Sequence, residues 1–133
     1  MRLFAVAVVT LAIVIPAVAQ EQQAPAAEGT LKVSEIAVCP RVEDRECPGA
    51  AESFPAGVGT LTCLTRVEGS AGQTTITHVW LKDGSEMRRI ELPVRSSSWR
   101  TWSQKNVSAG SWTVKVLDAS GNEIGSTSFT VGQ

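Results

Sequence analysis

The chain has 133 residues, a formal net charge of −1 and three cysteines, and this length accommodates one domain. Its near-neutral charge argues against a nucleic-acid-binding domain, which is typically strongly basic. No run of like charges marks an acidic or basic tail.

The first 19 residues have the three parts of a secretory signal peptide. Arg2 gives a positive start, an apolar run follows over residues 3–15, and Ala17 and Ala19 are the small residues that signal peptidase reads. We expect cleavage after Ala19, a periplasmic or extracellular protein, and no transmembrane segment after cleavage. The alternative is retention of this segment as a membrane anchor, because its longest apolar run is at the short end of spanning helices.

Short β-type runs and turn residues alternate through the rest of the chain. Residues 20–29 are small or polar without a period and predict a flexible leader, and residues 30–133 predict one domain. The predicted strands are residues 31–39, 59–67, 74–82, 87–94, 99–103, 111–118 and 123–131. Asp83-Gly84 predicts a two-residue hairpin turn, and residues 40–57 predict a long loop. About seven strands without a convincing helix predict an all-β fold, a small antiparallel β-sandwich of immunoglobulin or fibronectin-III type.

The three cysteines allow one disulfide and leave one thiol over. A pair should be oxidised in an extracytoplasmic compartment, and the sequence leaves three pairings open. Cys39 and Cys63 lie in predicted strands, so a sheet could hold them at bridging distance, whereas Cys47 lies in a loop. The chain has no C-x-x-C motif and no second histidine, so we expect no metal site and no cofactor.

The single histidine, His78, is the first residue to test for catalysis. The sequence has neither a G-x-S-x-G nor an H-E-x-x-H motif, and its carboxylates form no recognisable pair. We therefore expect a protein that is not an enzyme, and keep a small hydrolase with His78 as base as an alternative. His78 shares a strand face with Trp80. It either fixes the sheet through a hydrogen bond or contacts a ligand beside Trp80, and we favour the first interpretation.

The tryptophans divide by their position in the strand alternation. Trp112 is in phase with Val114 and Val116, which predicts a core residue. Trp99 and Trp102 are three residues apart, so in an extended strand their side chains point to opposite faces. If Trp102 faces outward, Arg100 shares its face, in an arrangement that favours a cation–π contact.

The chain also carries an ordered set of short motifs. They are an H-x-W strand from His78, a W-R-x-W-S-x-K block from Trp99, a G-x-W-x-V-x-V-x-D-x-x-G segment from Gly110 and a final F-x-V from Phe129. This set, spread over roughly residues 34–131, resembles the bacterial family catalogued as domain of unknown function 2914 (DUF2914). The resemblance implies a secreted or cell-envelope protein without an agreed activity. The chain departs from the family pattern at Cys47, which supports a Cys39–Cys63 disulfide with Cys47 as the extra thiol.

The expected function is a non-catalytic binding or interaction module outside the cytoplasm. Its partner would be an unidentified envelope ligand or protein, with a glycan among the candidates and nucleic acid excluded. The predicted contact residues form a polar and aromatic cluster: His78, Trp80, Arg100, Trp102, Ser103 and Lys105. The main alternative is a purely structural envelope domain, in which Arg100, Ser103 and Lys105 hydrogen-bond strand edges and join two sheets.

Overall fold

The computed structural model describes residues 31–132, so the expected signal peptide and leader lie outside the described residues. The strands are β1 (Lys32–Cys39), β2 (Ser53–Phe54), β3 (Thr60–Glu68), β4 (Thr74–Lys82), β5 (Ser85–Val94), β6 (Ser98–Asn106), β7 (Gly110–Leu117) and β8 (Glu123–Val131). A single turn of 3-10 helix, Ala56–Val58, precedes β3. Within this range, no helix has the length and apolar character needed to cross a membrane.

The strands form two sheets, one of three strands in the order β1-β3-β6 and one of five in the order β2-β8-β7-β4-β5. Neighbouring strands are antiparallel, except that the short β2 runs parallel to β8. This arrangement confirms the predicted all-β sandwich, and the finer immunoglobulin or fibronectin-III type stays a prediction. β5 and β6 each lie at an edge of their sheet, and their Cα atoms approach within 8 Å.

Local sequence patterns account for most of the strands. The predicted turn joins β4 to β5, with Lys82 opposite Ser85. Asp83 and Gly84 have φ values of 50° and 87°, and a tight hairpin turn of this type requires positive φ at both central residues. The long predicted loop differs from the structure, because residues 40–57 include β2, which pairs with β8.

The core lies between the two sheets, where alternate residues of each strand meet. Trp112 is 1% exposed, which confirms its predicted place in the core, and its ring stacks on Phe129 with centroids 6.2 Å apart. Trp80 packs against Trp112 edge to face at 6.5 Å. Such aromatic pairs contribute about 0.5–1.5 kcal/mol beyond the burial of their area.

The disulfide joins Cys39 to Cys47, with Cα atoms 5.5 Å apart, so the predicted Cys39–Cys63 pair is wrong. Strand register is the reason, since Val38 lies opposite Cys63, while Cys39 lies opposite Thr62. Neighbouring strand positions point to opposite faces, so Cys39 points out of the sandwich and Cys63 points into the core. Cys63 is free and buried. A disulfide is compatible with an extracytoplasmic location, where such bonds persist.

Residues 39–47 form a miniature loop, called here the disulfide hairpin. Glu43 and Glu46 exchange two backbone hydrogen bonds of 2.9 Å, and Asp44 and Arg45 form the turn between them with φ values of 52° and 61°. The hairpin lies against the outer face of the three-stranded sheet, where the Cys47 Sγ is 3.9 Å from the Ala37 carbonyl oxygen. It therefore covers part of this face of the sandwich.

Candidate functional site

The six predicted contact residues separate into a buried group and a surface group. His78 and Trp80 have no exposed surface and Ser103 is 6% exposed, whereas Trp102 is 37% exposed. Ser103 and Trp102 are neighbours on β6, so alternation sends the first into the core and the second outward. The structure therefore does not bring the six residues together at one ligand surface.

The buried group is a hydrogen-bond network that joins the two sheets. The Ser103 Oγ is 2.7 Å from the His78 Nδ1 and accepts a hydrogen bond from the Trp80 Nε1 at 3.0 Å. The other ring nitrogen of His78, Nε2, is 2.9 Å from the Thr65 Oγ1. Ser103 and Thr65 belong to the three-stranded sheet, and His78 and Trp80 belong to the five-stranded sheet. A fully paired polar network of this kind fixes the relative position of its strands.

Burial sets the protonation state of both titratable groups in this region. It lowers the pKa of His78 to about 4, so the imidazole is neutral at neutral pH. A neutral imidazole donates from one ring nitrogen and accepts at the other, which matches its two hydroxyl partners. Burial also raises the pKa of Cys63 to about 12, and a hydrogen bond with Thr65 opposes this only in part. The Cys63 thiol therefore stays protonated and is a poor nucleophile.

Arg100 and Trp102 lie beside an open cleft of about 260 Å³, called here the arginine cleft. It is lined by three guanidinium-bearing residues, Arg45, Arg95 and Arg100, together with Pro93, Trp99 and Trp102. Trp99 packs inward against the core and Trp102 faces outward, so the two side chains point to opposite faces, as their spacing predicts. The cleft thus combines three positive charges with part of an indole surface.

The arginines of this cleft are only partly neutralised by the protein. The Arg100 Nη2 is 3.5 Å from a Glu35 carboxylate oxygen, and its Nη1 donates to the Arg45 carbonyl oxygen at 3.2 Å. Within residues 31–132, neither Arg45 nor Arg95 forms an ion pair with a carboxylate. Guanidinium groups are rigid donors that pair well with carboxylates, sulfates and phosphates.

Two of these arginines were missed in the sequence, because loops bring them to the cleft. Arg45 lies 55 residues from Arg100 and is placed by the disulfide hairpin. Its φ of 61° is in the left-handed region, which costs a non-glycine residue about 1–2 kcal/mol. Arg95 follows the last residue of β5. Cys47, two residues after Arg45, was the sequence signal for a loop at this place. It indicates the position of Arg45 in the fold only once its disulfide partner is known to be Cys39.

Lys105 lies apart from the arginine cleft. Its Nζ donates to the Asn106 carbonyl oxygen at 2.8 Å and lies 5.8 Å from the centroid of the Trp112 ring. It lines a second cavity of about 310 Å³ together with Arg88 and Gln104. Among the residues that the structure describes, no group of three His, Cys, Asp or Glu side chains could hold a metal ion.

The family assignment rests on the second part of the sandwich. Residues 73–131 match the model of a family described as "Protein of unknown function (DUF2914)". The match covers less than half of the chain, and it supports the assignment of this segment to the DUF2914 family. The matched residues contain β4 to β8, so β1, β3 and the disulfide hairpin lie outside the match.

Two solved structures are weakly similar to this chain. Two crystal structures of the Beta-glucosidase from Kluyveromyces marxianus, one in complex with glucose and one labelled with Se-Met, have TM-scores of 0.46 and 0.44. Each is 10% identical in sequence and covers 78% of this chain, which spans only 14% of the enzyme chain. No curated protein matches the sequence.

The DUF2914 segment supplies the buried network except for Thr65, which comes from β3, and it supplies only part of the cleft. Its H-x-W residues, His78 and Trp80, are core residues that hydrogen-bond to the other sheet. Asp118, from the G-x-W-x-V-x-V-x-D-x-x-G motif, accepts hydrogen bonds of 2.9 Å from two backbone amides in the turn before β8. Arg45 comes from outside the DUF2914 match, so the complete arginine cleft is built by the whole sandwich.

Proposed function

We propose that this protein is a non-catalytic binding module that acts in the periplasm or outside the cell. Its site is the arginine cleft, and its ligand is a component of the envelope or its surroundings that carries an anionic group. One observation carries this proposal: Arg45, Arg95 and Arg100 line one cleft beside a partly exposed indole, and within residues 31–132 the one carboxylate that pairs with any of them is Glu35, through Arg100. The signal-like first 19 residues and the disulfide support the location.

The charge of the arginine cleft favours a bound anion. Three guanidinium groups beside one cleft repel one another, and a ligand with negative charge offsets this repulsion. Arg45 is also held in a backbone conformation that a side chain rarely adopts. The two-residue turn of the disulfide hairpin requires this conformation, and the turn holds the Arg45 carbonyl oxygen 3.2 Å from the Arg100 Nη1. The exposed third of Trp102 adds a flat apolar surface next to these charges.

The buried network supports a role without catalysis. The Ser103 Oγ already accepts the Trp80 N–H, and no carboxylate in residues 31–132 hydrogen-bonds to His78. A serine nucleophile needs a base that takes up its proton and a third group that orients this base. His78, with a pKa of about 4, is a weak base for that task. We therefore assign these residues to the joining of the two sheets.

A serine hydrolase is a second candidate, because the Ser103 Oγ lies 2.7 Å from the His78 Nδ1. Ser103 also lines a cavity of about 370 Å³ at the surface. A fluorophosphonate probe separates the two functions, since it labels an activated serine. Labelling of the wild type that disappears in Ser103→Ala would overturn the non-catalytic proposal, and we expect no labelling of either protein.

The binding proposal is tested with a short acidic sugar, the trisaccharide of galacturonic acid, against neutral maltotriose. In NMR titrations at low ionic strength, we expect the acidic trisaccharide to shift the indole N–H signal of Trp102 and maltotriose to shift it far less. Arg95→Gln should lower the affinity for the acidic trisaccharide by about tenfold, which is the loss expected for one charged contact. Arg89→Gln is the matched control, because Arg89 pairs with Glu86 on an exposed part of β5.

Two results would contradict the proposal. Equal shifts from the acidic and neutral trisaccharides would remove the role of the arginines. A Trp102→Ala variant that keeps full affinity but loses stability would favour the structural alternative. An intact fold with lost affinity in Trp102→Ala supports the binding surface, and circular dichroism of each variant distinguishes these cases.

A further inference from the structure

The arginine cleft is one section of a longer groove that follows β6. On one side it shares Arg45, Trp99 and Arg100 with a cavity of about 310 Å³ that reaches Ser96 and Ser98. On the other side Trp102 borders both the cleft and the cavity of about 370 Å³. The cavities are therefore neighbours along one strand.

The groove continues to the far end of the same strand. The cavity of about 370 Å³ shares Arg88 and Gln104 with the one that contains Lys105 and Asn106. The lining thus extends from Ser98 to Asn106, the full nine residues of β6. At about 3.4 Å for each residue, the groove is about 27 Å long.

Positive charge is concentrated at both ends of this groove. One end has Arg45, Arg95 and Arg100, the other has Arg88 and Lys105, and Trp102 is the central residue of β6. Among the described residues, Arg88 and Lys105 form no ion pair with a carboxylate. The whole chain has a net charge of −1, so this concentration is a local property of the groove.

The shape of the groove is unfavourable for a peptide bound as an added strand. An inserted strand needs about 4.8 Å on each side, or about 9.6 Å between its two neighbours. The Cα atoms of β5 and β6 approach within 8 Å, so these strands leave no such space where they meet. A ligand must therefore contact side chains along the groove instead of pairing with both strand edges.

The neutral side chains of the groove fit a sugar chain. Hydroxyl and amide groups from Thr60, Ser98, Gln104 and Asn106 also line the groove and can exchange hydrogen bonds with sugar hydroxyls. The C–H face of a sugar ring can pack on the exposed part of the Trp102 indole. We propose that the groove binds an extended acidic polysaccharide that contacts both basic ends at once. This inference rests on the proposed function and adds the length and class of the ligand.

The length of the ligand provides the test. Isothermal titration calorimetry on the full chain compares the trisaccharide and the decasaccharide of galacturonic acid. A ligand that reaches both basic ends gains from the second contact without a second loss of translational freedom. We expect the decasaccharide to bind more than about tenfold more tightly than the trisaccharide. This gain in affinity is larger than the one that comes only from the greater number of positions in which a longer sugar can occupy the arginine cleft.

A double variant separates length from simple charge. Arg88→Gln with Lys105→Gln should reduce the affinity for the decasaccharide by about tenfold, and leave the trisaccharide, which needs only the arginine cleft, unchanged. The matched control, Arg89→Gln with Lys115→Gln, removes the same charge from residues paired with Glu86 and Glu123 outside the groove. We expect this control to change the affinity for either sugar by less than about twofold.

Each outcome has a distinct meaning. If the trisaccharide binds and the double variant has no effect on the decasaccharide, the long groove is refuted while the arginine cleft stands. If neither sugar binds, both the long groove and the proposed binding function of the arginine cleft are refuted. If a poly-glutamate peptide of equal charge binds more tightly than the decasaccharide, the assignment to a polysaccharide is overturned.

Discussion

Acidification from about pH 7 to about pH 5 should destabilise this protein mainly through His78. The ordinary pKa of 6.5 applies in the unfolded chain, and burial lowers it to about 4 in the folded protein. Between these values the unfolded chain binds a proton that the folded protein excludes, so unfolding takes up a proton. The stabilisation is fully present above pH 6.5 and is lost as the pH falls towards 4.

The magnitude follows from the difference between the two pKa values. At about pH 5 the unfolded state is almost fully protonated at His78 and the folded state is mostly neutral, which gives a loss of about 2 kcal/mol. The complete loss, reached below pH 4, is about 3 kcal/mol. This is a large share of the roughly 5–15 kcal/mol by which folded domains are stable.

Urea denaturation at the two pH values measures this loss directly. The chain has one histidine, so the NMR signal of its imidazole reports the folded-state titration without overlap. The control is His78→Gln, which removes the titrating group. This variant should be less stable than the wild type at neutral pH, and its stability should change little between the two pH values.

Two observations would refute the reasoning. A folded-state imidazole that titrates with a midpoint near 6.5 would show that His78 is hydrated or paired with a negative charge. A wild-type free energy of unfolding that is equal at both pH values would show that burial of the neutral ring does not contribute in this way.

The remaining predictions concern the disulfide and the core. Cys47→Ser should lower the free energy of unfolding by about 2.5 kcal/mol, because the closed loop is short; an unchanged midpoint in urea would contradict the bond found here. Iodoacetamide should leave Cys63 unmodified in the native protein, since burial raises its pKa to about 12, and rapid modification detected by mass would show an accessible thiol. Ser103→Ala should cost about 2–4 kcal/mol, because the Trp80 Nε1 and an imidazole nitrogen lose their partner, whereas the same change at exposed Ser126 should cost little.

The candidate site was only partly predictable. Strand alternation correctly placed Trp99 and Trp102 on opposite faces and Trp112 in the core. Alternation also puts the neighbours Trp102 and Ser103 on opposite faces, but which face of β6 is covered depends on the tertiary structure. Arg45 and Arg95 were missed because they come from loop positions that have no period.

The sequence by itself determined the local features of this protein: the alternating strands, the Asp83-Gly84 turn and the all-β class. Each follows from contacts and conformations within a few residues. Only the tertiary structure decided the disulfide and the cleft. A shift of one residue in register between β1 and β3 decides whether Cys39 faces the core or the outer surface, and the observed register gives it Cys47 as partner. That bond folds the disulfide hairpin back over the sheet, and this non-local contact brings Arg45 to Arg100.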